Sequence, residues 1–198
     1  MALGTVTAPY ELRFDAGRVC LDLLATTHPE ERFDSVPVLR AWIAGAGLVP
    51  PGTSLAHVDA SWPGEFRELR ALVGQLVRCG LGGEPRPASR AVLARVNEAA
   101  RTAPPAPCAV LAESGALVRE LAAAPECAAL LGAIARDAVE LLTDPVARAG
   151  LRQCAGDNCP IVYVDSSRGR RRRWCSSEVC GNRERVARHR RRVALTRA

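Results

Sequence analysis

Residues 151–198 read LRQCAGDNCPIVYVDSSRGRRRRWCSSEVCGNRERVARHRRRVALTRA, and the cysteine spacing in this stretch governs how it folds. Cys154 and Cys159 enclose four residues, Cys175 and Cys180 enclose four more, and fifteen lie between the two pairs. A segment of about 48 residues buries too little apolar surface to fold alone, and in reducing surroundings such modules are commonly stapled by a metal. Four thiolates close a tetrahedral Zn²⁺ shell with no position left for water. The spacing therefore points to one structural zinc per chain on Cys154, Cys159, Cys175 and Cys180, with disulfides or idle thiols as the alternatives. The turn Ala155–Asn158, rich in Gly, Asp and Asn, can bring two sulfurs to one ion. Ile161–Val164 reads as a strand, Asp165–Gly169 as a turn and Arg170–Trp174 as the returning strand. The second cysteine pair leads into a helix whose free N–H groups help to stabilise thiolate charge. Knuckle, hairpin and helix around one ion form a treble-clef-like arrangement.

Charge separates this stretch from the rest of the chain. All 27 strongly basic residues are Arg, and the net formal charge is +6. Residues 1–149 hold 14 Arg against 17 acidic residues, a net of −3, whereas residues 150–198 hold 13 Arg against four acidic residues, a net of +9. The absence of Lys, beside abundant Ala, Gly and Pro, fits coding bias in a GC-rich genome. The concentration of charge fits a polyanion partner. The other four cysteines, Cys20, Cys79, Cys108 and Cys127, are scattered through apolar stretches and read as reduced, buried small hydrophobes.

Upstream, apolar periodicity is helical. Leu12–Thr26 reads as a strand or the start of a first helix. Ser35-Val36-Pro37 opens a helix with Val38, Leu39, Trp42 and Ile43 at helical spacing, and Ser61-Trp62-Pro63 opens another that Gly80, Gly82 and Gly83 end. Ser89 starts a third helix, through Arg101. Cys108–Ala112 and Ala116–Leu121 suit a hairpin, and Pro125 opens a last helix to about Thr143. The expected fold is mainly α, with one small hairpin: a mostly helical domain over 1–150 and a zinc finger with a basic C-terminal helix over 151–198.

Catalytic patterns are missing. His28 and His57 stand in loop-like stretches and read as surface residues, and there is no phosphate-binding Gly loop or nucleophile elbow. Asp22, among Cys20, Leu21, Leu23 and Leu24, reads either as a buried polar anchor or as a ligand contact. A non-enzymatic protein is expected. No apolar run reaches the ~18 residues of a membrane span, and Met1–Gly4 does not begin a secretory signal, so a cytoplasmic location is expected.

The finger resembles the CGNR zinc fingers of bacterial proteins, through Cys154-x4-Cys159, the Asp165-x-Ser167-Arg168 turn, Arg173-Trp174-Cys175-Ser176 and Cys180-Gly181-Asn182-Arg183. In that family the finger follows an ABATE domain. Its opening motif is similar to Cys20-Leu21-Asp22, Thr26, Leu39-x2-Trp42 and Gly47-Leu48-Val49, although Ala25-Thr26 stands where the pattern has Asn-Thr. The resemblance implies DNA binding and transcription regulation.

On a helical wheel from Cys180, Val186 and Val193 lie together, flanked by Ala187 and Ala194, and would pack on the hairpin. Arg185, Arg188 and Arg192 project from the other side, and a strand at 170–174 would turn Arg171 and Arg173 the same way as each other. These five arginines are the candidate nucleic-acid contacts. After a tetrathiolate zinc subtracts two charges, +7 remains to repel itself unless a polyanion offsets it. DNA is the expected partner. An RNA-binding protein, or a small-molecule-binding N-terminal domain with the finger as accessory, are the rival classes. A finger this short reads few base pairs, which points to a homodimer or a second protein bound through the N-terminal domain.

Overall fold

The structure, a computed structural model, describes residues 12–81 and 89–196. A turn at Gly17 (φ +88°) leads into α1, Val19–Ala25, so the ambiguous first stretch is helical where it is regular. α2 (Val36–Gly45), α3 (Trp62–Gly80) and α4 (Arg90–Arg101) follow. β1 (Pro107–Leu111) pairs antiparallel with β2 (Leu117–Leu121) in the expected hairpin. α5 (Cys127–Thr143) and α6 (Pro145–Ala149) complete the helical part. Ser35, Ser61 and Ser89 each precede a helix, yet none makes a side-chain capping bond; the Ser61 hydroxyl instead donates to Asp59 Oδ1 at 2.6 Å. Gly82 and Gly83, expected to help end α3, lie outside the described residues.

The core sits where α1 packs on both α3 and α5, with α2 added against α3. It buries Leu21 and Leu23 of α1, Leu39, Trp42 and Ile43 of α2, Phe66 and Val73 of α3, and Leu130, Ile134 and Leu141 of α5. Phe33, Trp42 and Phe66 meet edge to face at centroid distances of 5.4, 6.1 and 6.0 Å, the geometry favoured by ring quadrupoles. Close approach fixes glycine at Gly132, where a Cβ would lie 2.5 Å from the Thr102 carbonyl; a Cβ on Gly45 would lie 2.4 Å from the Phe14 ring, a partly exposed side chain that can swing aside. Cys20 and Cys127 are buried as expected, whereas Cys79 and Cys108 are only half-buried.

β3 (Leu151–Gln153) pairs antiparallel with β4 (Val162–Val164), which corrects the expected hairpin. The returning segment 170–174 was expected beside β4, but β4's other edge is taken: Val164 N donates to the Ala16 carbonyl at 2.9 Å. Arg170 also has φ +46°, which breaks an extended run before it could pair. The segment is held by separate bonds instead, from Ala155 N to the Arg173 carbonyl (2.8 Å) and from the Tyr163 hydroxyl to the Arg172 carbonyl (2.6 Å). A π-helical turn, Ser177–Gly181, runs directly into α7, Asn182–Thr196. No helix among the described residues is long and apolar enough to cross a membrane.

Candidate metal centre and basic helix

The first cysteine pair lies in the loop joining β3 to β4. Cys154 N donates to the Ile161 carbonyl at 2.9 Å, and Asn158 takes φ +57°, a left-handed conformation that Asn tolerates. Gly156 passes so close that a Cβ there would lie 3.5 Å from the Cys154 and Cys180 sulfurs. The second pair is placed by a cap that sequence reading overlooked: Ser176 Oγ accepts the N–H groups of Glu178 and Val179 at 3.2 and 3.3 Å. A Ser just before a helical stretch is the ordinary signal for such a cap.

All four sulfurs lie within 4.8 Å of one another and all four cysteines are buried. Cys159 Sγ is 3.7 Å from Cys175 Sγ, which is 3.6 Å from Cys180 Sγ. Zn–S bonds of about 2.3 Å at tetrahedral angles require sulfurs about 3.8 Å apart, so the set fits zinc, and it is too open for disulfides, whose sulfurs lie about 2.05 Å apart. The N–H groups of Gly156 and Cys175 point at Cys154 Sγ at 3.4 and 3.3 Å, as suits a thiolate. Burial raises the Cys154 thiol, but these N–H bonds together with the Cys175 and Cys159 thiols outweigh it and bring the thiol below its usual range. Burial pushes Cys159 up to about 11 and Cys175 well above the ordinary value, the latter against the pull of Arg13, whose Nη2 is 3.2 Å from its sulfur. Metal binding here is therefore coupled to proton release. The four cysteines hold one structural zinc, as their spacing implied.

Two further groups brace the finger from within. Asp165, 2% exposed, accepts from the Ser167 hydroxyl (2.6 Å), the Ser167 N–H (3.0 Å) and the Arg172 N–H (3.0 Å). Those donors, the hydroxyl foremost, hold its carboxyl below the usual range. Arg172 turns inward: its guanidinium lies 4.4 Å from the Tyr163 ring centroid and donates to the carbonyls of Asp15, Trp174 and Cys175. Nothing local in the run Arg170–Arg173 distinguishes this arginine, because Asp15 stands 157 positions away.

The five candidate arginines all lie toward solvent but not in one state. Arg171 and Arg173 are exposed on the segment before Cys175, and Arg173 lies over the Trp174 ring at 5.3 Å. Arg185, Arg188 and Arg192 recur on one stripe of α7. Arg185 folds back to the Ser177 carbonyl (3.3 Å) and Asn182 Oδ1 (3.5 Å), supporting the start of the helix. The expected packing face of α7 is corrected: Val186 is 42% exposed, and the face nearest the knuckle runs through Cys180, Glu184 and Ala187. Because α7 starts one π-helical turn late, the wheel drawn from Cys180 is rotated. Arg183 lines the same shallow recess, beside Gly156 and Asp157.

His57 is exposed, with Nε2 2.8 Å from the Pro125 carbonyl. His28, expected at the surface, is half-buried. Asp22 is a buried anchor whose Oδ1 accepts the Ala16 N–H at 2.9 Å.

A helical domain followed by a tetracysteine treble-clef finger with a basic terminal helix defines a class of zinc-finger protein. The chain belongs to the ABATE family, whose model, described as "Putative stress-induced transcription regulator", matches residues 17–145. The CGNR zinc finger model matches residues 151–193. No curated protein matches the chain.

Proposed function

We propose that the protein is a non-enzymatic, cytoplasmic transcription regulator that binds double-stranded DNA through α7 and the Arg171–Arg173 segment, while residues 1–150 sense a signal or bind a partner. The observation that carries this reading is α7 itself. It is a 15-residue helix with none of its described side chains buried, and it ends a finger that stays strongly positive after zinc binding. Helicity in proteins usually comes from packing an apolar face, so a helix this exposed and this basic is suited to a polyanionic surface. Duplex DNA is favoured over single-stranded RNA because stacking needs free aromatic faces: Tyr163 is fully buried and Arg173 covers Trp174. The test is a titration of zinc-loaded wild type and an Arg185→Ala/Arg188→Ala/Arg192→Ala variant on duplex DNA at two salt concentrations. The variant should bind more weakly, and its salt-dependence slope should fall by roughly 0.9 for each phosphate no longer neutralised. Equal affinity of the two proteins, or tighter binding to structured RNA than to DNA, would refute the reading.

A further inference from the structure

A cavity of about 370 Å³ opens between the helical part and the finger, within the ~300–1,000 Å³ range of small-molecule sites. Its floor is apolar: Leu24 of α1, with Val77 of α3 and the adjoining Leu81, faces Ile161 and Val162. Its rim is cationic. Arg67, Arg70 and Arg78 come from one stripe of α3, together with Ala71 and Gly74, and His28 stands opposite. No carboxylate lines the cavity among the described residues.

The three guanidinium groups are in different electrostatic states. Arg70 is buried and committed, bonded to both Glu31 carboxylate oxygens and at 2.7 Å to the Thr26 hydroxyl. Arg67 donates to the Phe33 carbonyl at 3.3 Å and shares the field of that same Glu31. Arg78 makes no hydrogen bond or ion pair among the described residues, yet it is not left to wander. A Cβ at Gly74 would lie 3.2 Å from its Nη1 and 3.4 Å from Leu24 Cδ2. The missing side chain at Gly74 lets this guanidinium, on an exposed residue, lie back along α3 near Leu24 at the cavity's edge. His28 is held below its ordinary range by burial first and then by Arg13, Arg183 and Arg32, so the surrounding field is positive as well.

We propose that this cavity binds a small organic anion with an apolar body, its carboxylate or sulfonate-like head on Arg78 and Arg67 and its body on Leu24, Val77 and Ile161. Charge-assisted bonds to arginine in a half-apolar cleft supply orientation, and the floor supplies burial. The site stands on its own geometry; only its meaning as the signal input rests on the regulator reading. Ile161 and Val162 belong to the stretch that leaves the zinc knuckle, and Gln153 precedes Cys154, so an occupant touches both halves of the chain.

The test uses zinc-loaded full chain without DNA and 1-anilinonaphthalene-8-sulfonate as fluorescent probe. One saturable site per chain is expected, emptied by octanoate at concentrations where n-octanol leaves it filled. Arg78→Glu, which removes the head-group contact, and Ala71→Trp, which fills the cavity, should each weaken the probe about tenfold or more with zinc content and melting unchanged. Absence of a one-per-chain site, displacement by n-octanol as effective as by octanoate, or full affinity in both variants would overturn the proposal. Duplex binding by Arg78→Glu is measured separately without probe and should match wild type. A weakening comparable to that of the α7 triple variant would reassign Arg78 to the nucleic-acid surface.

Discussion

Asp22 lies 7% exposed in α1, with the Ala16 N–H as its hydrogen-bond donor and Asp15 and Asp137 nearby. Burial is the chief cause that pushes its carboxyl up to about 7 from 3.8, the two aspartates add to it, and the Ala16 bond opposes it. A carboxyl whose folded-state value is raised binds more protons folded than unfolded, so its contribution to stability is greatest below about pH 4 and declines as pH rises toward 7. Asp22→Asn keeps an acceptor for Ala16 and removes the charge. Its stability relative to wild type should rise from near zero at pH 4 to about 2–4 kcal/mol at pH 8, read as paired urea melts across that range. A difference that stays flat with pH would show that the charge is not costly there. The sequence left Asp22 open between anchor and ligand contact, since that choice depends on Ala16 folding back across the turn at Gly17. The cysteines were legible for the opposite reason: each pair is local, and only the union of two pairs is long-range. Arg172 was illegible because Asp15, one of the carbonyls it serves, is far away in sequence.

At the scale of elements, α2 to α5 followed from apolar spacing with Pro and Gly punctuation, and the β1–β2 hairpin from two short β-like runs, whereas its register and the short α6 did not. Pairing in the finger did not, because three-residue strands carry almost no pattern and Ala16 competes for the edge of β4. Contact between α4 and α5 was equally hidden. Gly132 reads as a neutral small residue in a helix, yet the end of α4 brings the Thr102 carbonyl to within 2.5 Å of where its Cβ would be. That neighbour is backbone, so it cannot swing aside as a side chain could. Although Ala is the better helix former by about 1 kcal/mol, overpacking should win. Gly132→Ala is expected to lower stability by about 1–3 kcal/mol, measured by thermal melting, with zinc content unchanged. A melting temperature equal to or above wild type would mean that the two helices separate at little cost.

Across the whole molecule, the helical part and the finger share a seam made of few but specific bonds. Val164 N meets the Ala16 carbonyl, Asp165 N meets the Gly150 carbonyl at 2.8 Å, Arg172 reaches Asp15, and Arg13 reaches the Cys175 sulfur. Leu151, 5% exposed, lies beside the end of α3, 3.7 Å from where a Gly80 Cβ would be. Apolar burial is continuous from the helices into the finger, but most of it lies in the helical part, whereas the finger has little beyond Leu151, Ile161, Val162 and Tyr163 to hold it once the metal leaves. Zinc removal should therefore be unequal in its effect. With a chelator, or in Cys159→Ser, amides of 151–193 should lose hydrogen-exchange protection while those of α3 and α5 keep most of theirs. Residues 1–150 expressed alone should give a cooperative helical melt on the same argument. The segment around Ala16 should be the exception, exchanging faster because its partner on β4 is gone. Loss of protection throughout α3 and α5 on chelation, together with aggregation of the 1–150 fragment, would mean that the seam, not the helical core, carries the fold.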